Sequence, residues 1–230
     1  MSYPFDLGGW SRAITTTSAQ AQIWFDRGLN WTYAYNHEEA VKCFRQVLEH
    51  DPACAMAHWG IALASGPFYN RAWIRFSRPE IEATLTLCHA AAQAALAELG
   101  GCTEGEQALI RATAMRYAAP QASGLAELMR WHDDYTDALR AAHAAHPGDA
   151  DIAALFTEAA ITRTPRQLWD LATGQPKPGS DITEVLEVLD RALAACPDHP
   201  GLLHIHIHAL EMAPFPERRL RSADRLRGMI

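Results

Sequence analysis

Apolar residues recur along this chain at the three-to-four-residue spacing of amphipathic helices, in paired segments separated by short breaks. Residues 21–35 read AQIWFDRGLNWTYAY, a polar break follows, and residues 40–50 resume the pattern before Asp51-Pro52 stops it. Thirty-four residues after Ala21, Ala55 opens a second small-and-apolar helix, AMAHWGIALASG. Its partner is delayed by residues 66–78, which carry Gly, Pro and several aromatics and read as a loop. Pro79 then sits in the first turn of a long helix that Gly100-Gly101 ends. Thr103 with Glu106 forms a capping-box pattern opening a third hairpin, whose second helix runs over residues 125–146 to Pro147. A fourth begins at Ala150, and its helices are separated by a Pro- and Gly-rich insertion over residues 164–179. Asp181 is placed to cap the helix that follows. The fifth runs from Pro200 through HIHIH, turns at Pro214 and Pro216, and ends in ERRLRSADRLRG. HIHIH alternates as a strand would, but the stop before it and the offset of its hairpin place it on a helix. The pattern predicts ten helices in five hairpins and no sheet.

The first hairpin carries a more specific signal. Trp24, Gly28, Ala40, Phe44 and Pro52 fall, without a gap, at the signature positions of the tetratricopeptide repeat (TPR), which this stretch resembles. Trp31 stands where the family prefers Tyr, Val47 where it prefers Ala, and Arg27 replaces an apolar residue. The NHEEA and AHWG segments and the ADRLRG helix are similar to those of longer bacterial TPR-containing proteins, in which further His-containing hairpins follow. The resemblance implies an all-α, right-handed TPR-like solenoid forming a single domain over residues 1–230. It also implies that part of the array is missing here, since no polar capping helix closes the last hairpin. We therefore expect exposed apolar surface there, covered by a partner or by a second copy of the chain.

Bulk properties narrow the function. A net charge of −7 argues against a general nucleic-acid binder. No apolar run approaches the roughly 20 residues of a membrane span. The first residues lack the basic start and apolar core of a secretory signal. Five scattered cysteines, odd in number and never in CxxC, read as reduced thiols in a cytoplasmic protein. No nucleotide-binding or serine-hydrolase motif is present, so no catalytic residue is assigned.

Candidate chemistry gathers in the fifth hairpin. On a helix, His204, His208 and Glu211 share one stripe, while His206 points elsewhere. In TPR proteins the second, fifth, ninth and twelfth residues of a first helix line the concave groove. In this register they are Gly201, His204, His208 and Glu211, with Glu158 joining from the preceding repeat. Two imidazoles one turn apart beside carboxylates suit a divalent transition metal. Groove histidines also serve simply to hydrogen-bond a peptide carboxylate or water, and His204-x-x-x-His208 lacks the Glu of a zincin motif.

Other residues carry paired readings. His37 and His58 are further metal-ligand candidates if neighbouring repeats bring them together, though His58 also reads as a core histidine. Phe25 and Trp59 take the fifth groove place of the first two repeats and are candidate apolar anchors. Asn70, Arg71 and Arg75 lie in the 66–78 loop, an adaptable pocket wall. Trp131-His132-Asp133-Asp134 reads as a mixed helix surface. The five arginines from Arg218 to Arg227 read as a solvated face or a grip for an acidic partner. Two functions remain open. One is a binding module whose groove takes a peptide, a protein or a small ligand. The other is a metal-binding protein or metal-dependent enzyme with its His/Glu site in that groove.

Overall fold

The computed structural model describes residues 3–227 and Met229. Ten α-helices follow one another: α1 (Ala19–Tyr33), α2 (His37–His50), α3 (Ala55–Ser65), α4 (Arg78–Ala97), α5 (Glu104–Arg116), α6 (Leu125–Ala145), α7 (Ala150–Arg163), α8 (Ile182–Ala195), α9 (Pro200–Leu210) and α10 (Pro216–Arg227). Each odd-numbered helix packs against the helix that follows it, giving a TPR-like array of hairpins. No strand forms among the described residues; HIHIH is helical within α9.

Local sequence explains the helix starts. Ser18 accepts from the Ala21 amide at α1, and Asp149 accepts from the Ile152 amide at α7. Ser77 with Glu80, and Thr103 with Glu106, complete capping boxes at α4 and α5. Asp181 departs from expectation. It precedes α8 but makes no side-chain cap, because its carboxylate accepts from Arg163 at 2.9 Å instead.

The hairpins pack through small residues. A Cβ on Gly28 would lie 2.6 Å from the Phe44 ring, and one on Gly60 would lie equally close. Phe44 is thus clasped between α1 and α3 and is fully buried. Arg27, at an apolar position of the repeat pattern, lies over the rings of Tyr3 and Trp24 at 4.1 and 4.4 Å.

The odd-numbered helices form the inner layer. They touch one another, α1 with α3, α3 with α5 and α7 with α9, and α9 returns to touch α1. The superhelix therefore closes on itself, and the open inner groove expected from the register is filled where the first and fifth hairpins meet. Gly201 permits this contact, since a Cβ there would sit 2.6 Å from the Tyr33 ring. Asp151 locks it. Its buried carboxylate accepts from Tyr33 Oη at 2.5 Å, Trp10 Nε1 at 3.0 Å, His199 Nε2 at 3.0 Å and Arg12 at 3.0 Å. Residues 10–12 so form a strap tying α1, α7 and α9 together. Burial alone would raise the Asp151 pKa. The His199 hydrogen bond and charge, with Arg12 and Tyr33, outweigh it and bring the group to about 2.

Part of the arginine run of α10 engages neighbouring elements. Arg218 holds Asp190 at 2.8 Å, Arg225 holds Asp198 at 2.5 Å, and Arg219 donates to the Glu211 carbonyl. Arg218 and Arg219 thus clasp the last helix to its neighbours, while Arg221, Arg225 and Arg227 are exposed, as a solvated face requires. The mixed-surface reading of residues 131–134 is corrected in part, since Trp131 and His132 are buried.

Candidate functional site

The turn between α1 and α2 places Tyr35 in the left-handed region, with φ of 58°. An aromatic residue adopts that conformation only where its surroundings hold it there. Arg166, in the 164–179 insertion, is the other non-glycine with positive φ among the described residues, at 59°. The two flank one site. Arg166 donates its backbone N–H to Tyr69 Oη at 3.3 Å, and Tyr69 and Tyr35 both neighbour His208.

Three imidazoles surround the Tyr35 ring. Its centroid lies 4.2 Å from His204, 5.6 Å from His208 and 5.7 Å from His37. Each imidazole is fixed through Nδ1. His204 donates to the Tyr33 carbonyl at 2.5 Å, His37 to the Ala64 carbonyl at 3.0 Å, and His208 to the Glu211 carboxylate at 3.1 Å. A carbonyl or carboxylate can only accept, so each Nδ1 carries a proton, and in the neutral ring Nε2 carries the lone pair. The Nε2 atoms of His37 and His208 are buried with no hydrogen-bond partner.

Electrostatics keep this centre poised. Burial lowers His37 to about 4 against the pull of its Ala64 hydrogen bond, with the charge of Arg116 adding to the depression. Burial likewise lowers His204. Glu158, on α7, is pushed up by burial, which the Arg116 charge and the Tyr69 N–H only partly oppose. Glu211 moves the other way, lowered chiefly by its hydrogen bond from His208. Burial, then the Glu158 charge, holds Tyr35 well above the usual phenol range. Burial thus disfavours charge on His37, His204 and Glu158, while the hydrogen bond from His208 favours the ionised form of Glu211.

Two hollows adjoin it. A cavity of about 20 Å³ is lined by Tyr35, His37, Phe68, Glu158 and their neighbours. A cleft of about 560 Å³ opens between residues 6–10, the end of α1 and the α9–α10 hairpin, with Trp10, Asn30 and His204 on its walls. His204 borders the cleft and touches Tyr35, so it stands between the two.

Sequence reasoning brought His204, His208, Glu211, Glu158 and His37 to this place. It missed Tyr35 and Arg166, and reached Tyr69 only as one aromatic of the 66–78 loop. Among the described residues no three His, Cys, Asp or Glu side chains are grouped so as to hold a metal ion.

The remaining candidates lie elsewhere. Phe25 and Trp59, expected as groove anchors, are 0% and 1% exposed. Phe25 packs against Phe44 and Trp59, so the contact between the first two hairpins turns those groove positions into core. His58 does not meet His37. It lies at the start of α3 near Glu98, while His37 bonds Ala64 near the end of that helix. Asn70 accepts from Arg166 at 3.2 Å, on the rim of the site. Arg71 pairs with Glu80 at 2.7 Å and lies over Phe76, so its guanidinium is already engaged. His206 Nδ1 also lies 2.8 Å from Ser222 Oγ, while its Nε2 stands 3.6 Å from Asp190 without a hydrogen bond. Ser222 is buried between α9 and α10 and Asp190 is held by Arg218, an arrangement suited to fastening helices rather than to nucleophilic attack.

No helix among the described residues is long and apolar enough to cross a membrane. No protein-family model matches the chain, and no curated protein matches it. Among solved structures, MamA 41-end from Desulfovibrio magneticus RS-1 is similar over 93% of this chain and 95% of that chain, at 13% sequence identity and a TM-score of 0.33. An overlap that loose says nothing of site or function.

Proposed function

We propose that this chain is a binding module whose ligand site is the interior cluster around Tyr35, rather than an extended inner groove for a long peptide. The observation that carries the reading is the convergence on Tyr35 of three imidazoles, each fixed through Nδ1 and, in the neutral ring, presenting an Nε2 lone pair. Unpartnered buried polar atoms are costly to a fold unless something compensates them. Both left-handed non-glycine residues among those described border the same place, as expected of a site held in a preset geometry. The return of α9 onto α1 leaves little continuous inner surface for an extended chain. The cleft beside His204 offers the ligand its approach.

The reading is tested by ligand-observed NMR with a panel of small amines, carboxylic acids and transition-metal salts, run beside selection from a random peptide library. Binding of small probes that is lost in Glu158→Gln and His208→Gln supports the interior site. Peptides that bind tightly and are indifferent to both substitutions overturn it in favour of an external surface.

A further inference from the structure

We infer that the cleft beside His204 is itself a binding site and takes an organic ammonium ion, a protonated primary amine on an apolar body, its N–H groups received by Asn30 Oδ1, His204 Nε2 and the Asp6 carboxylate. The inference goes beyond the interior-site reading, because the cleft lies outside the Tyr35 cluster, with His204 standing between the two.

Three observations carry it. The first is the hydrogen bonding of the walls. Among the described residues, every side-chain donor lining the cleft is already committed. Trp10 Nε1 and Tyr33 Oη both donate to Asp151, at 3.0 and 2.5 Å. His204 Nδ1 donates to the Tyr33 carbonyl. Asn30 spends both protons of Nδ2, on the Trp10 carbonyl at 2.9 Å and the Asp26 carbonyl at 2.8 Å. Those two carbonyls also fix the amide, since a flip would set oxygen against oxygen. What remains can only accept. Asn30 Oδ1 is buried without a partner, and His204, which burial keeps from charging, has only its Nε2 lone pair left.

The second observation is charge. Asp6 and Asp198 line the cleft, and no Lys or Arg does among the described residues. Asp198 is held by Arg225 at 2.5 Å, whereas Asp6 accepts the Gly8 N–H at 3.1 Å and so keeps its negative charge for a ligand. The third is size and shape. A volume of about 560 Å³ suits an organic molecule rather than a lone ion, within the range of roughly 300–1,000 Å³ usual for such sites. Leu7, Leu226 and the rings of Trp10 and Tyr33 offer walls to an apolar body, and an indole face also attracts a cation. The walls are built by close approach. Gly8, at φ of 73°, runs so near the Met229 carbonyl that a Cβ would lie 2.9 Å from it. An anionic or wholly apolar ligand would leave Asn30 Oδ1 unanswered.

The experiment is NMR titration of the full chain with four probes of one shape: phenethylammonium, its N,N,N-trimethyl derivative, 2-phenylethanol and phenylacetate. Phenethylammonium should bind most tightly. The trimethyl derivative keeps the charge without an N–H, and the alcohol keeps a donor without the charge, so each should bind about 10-fold more weakly. Phenylacetate should not bind. His204→Phe keeps a ring against Tyr35 and removes the lone pair, and should weaken the amine about 10-fold or more. Asp6→Asn should weaken it about 2- to 5-fold, and Ala34→Phe, which fills the cleft, should abolish it. Contacts from phenethylammonium to the Leu7 and Leu226 methyl groups in the unaltered chain give a readout that needs no variant. Absence of those contacts, phenylacetate binding as tightly as the amine, or amine binding indifferent to both His204→Phe and Ala34→Phe overturns the proposal. Amine binding lost in Glu158→Gln and His208→Gln but kept in Asp6→Asn and Ala34→Phe moves the amine to the interior cluster; this proposal then falls and the interior-site reading stands.

Discussion

Gly201 faces Tyr33 so closely that a Cβ added to it would fall 2.6 Å from the ring. The two residues lie on α9 and α1, at opposite ends of the array, and their contact turns a stack of hairpins into a closed one. The Tyr33 ring has little freedom to yield, because its hydroxyl is bound to Asp151.

Gly201→Ala should therefore destabilise the fold. In an unconstrained helix interior the same change stabilises by about 1 kcal/mol through helix propensity. Here the overlap should cost about 1–3 kcal/mol, reversing or cancelling that gain. Gly105, in α5, is the control, since its added Cβ would meet nothing nearer than 3.6 Å. Urea unfolding should show a lower midpoint for Gly201→Ala and an unchanged or higher one for Gly105→Ala. Equal shifts for both would mean that α9 and α1 do not close in solution.

Asp151 is the charged half of the same closure. Asp151→Asn leaves Arg12 without one partner and disturbs three further hydrogen bonds, and breaking a buried pair of this kind costs about 3–5 kcal/mol. The acid behaviour follows from its lowered pKa. Between the ordinary 3.8 and about 2, the unfolded chain binds a proton that the folded chain refuses. The contribution is therefore complete above pH 3.8 and disappears as pH falls toward 2. Denaturant unfolding measured across that interval should lose this slope in Asp151→Asn.

A separate pH dependence lies higher. Burial holds His37 at about 4 and His132 at about 3, both below the ordinary 6.5. From pH 6.5 downward the unfolded chain protonates these histidines while the folded chain does not. Stability should thus be greatest above pH 6.5 and fall as pH drops toward 4, by about 1.4 kcal/mol per unit for each group. His132 carries no proposed ligand role, with its Nε2–H donated to the Ala159 carbonyl. The slope should flatten partly in His37→Gln and partly in His132→Asn, as read from unfolding curves at about pH 5 and about pH 7. A slope unchanged in both variants would mean that neither imidazole is desolvated.

What the sequence made legible was local. Trp24, Gly28, Ala40 and Phe44 announce a hairpin because their spacing expresses helix packing within 21 residues, and the structure repeats that packing directly. His204, His208 and Glu211 were found because a helical stripe is also local. Closure was not legible, for it depends on Tyr33 meeting Asp151 across 118 residues and on Trp10 and Arg12 crossing to the same carboxylate. Phe25 and Trp59 read as groove anchors, yet their contact with each other between the first two hairpins buries both. Tyr35 escaped because its importance is conformational, and a left-handed φ leaves no mark on an aromatic residue's identity.

Phe44 offers the sharpest check on the helix packing itself. It fills the gap left by two glycines, Gly28 on α1 and Gly60 on α3, each with room for its ring and none for a methyl group. Gly28→Ala alone should destabilise by about 1–3 kcal/mol, and Phe44→Ala alone by about 3–5 kcal/mol, since it opens a cavity in a fully buried place. Combined, they should not add. Once the ring is gone, the methyl group introduced by Gly28→Ala meets empty space, fills part of the cavity and gains helix propensity. Gly28→Ala therefore becomes stabilising in the Phe44→Ala background. The coupling measured by a double-mutant cycle should reach about 1 kcal/mol or more, the size seen for residues in direct contact. Simple additivity would mean that Phe44 does not lie between α1 and α3 as described.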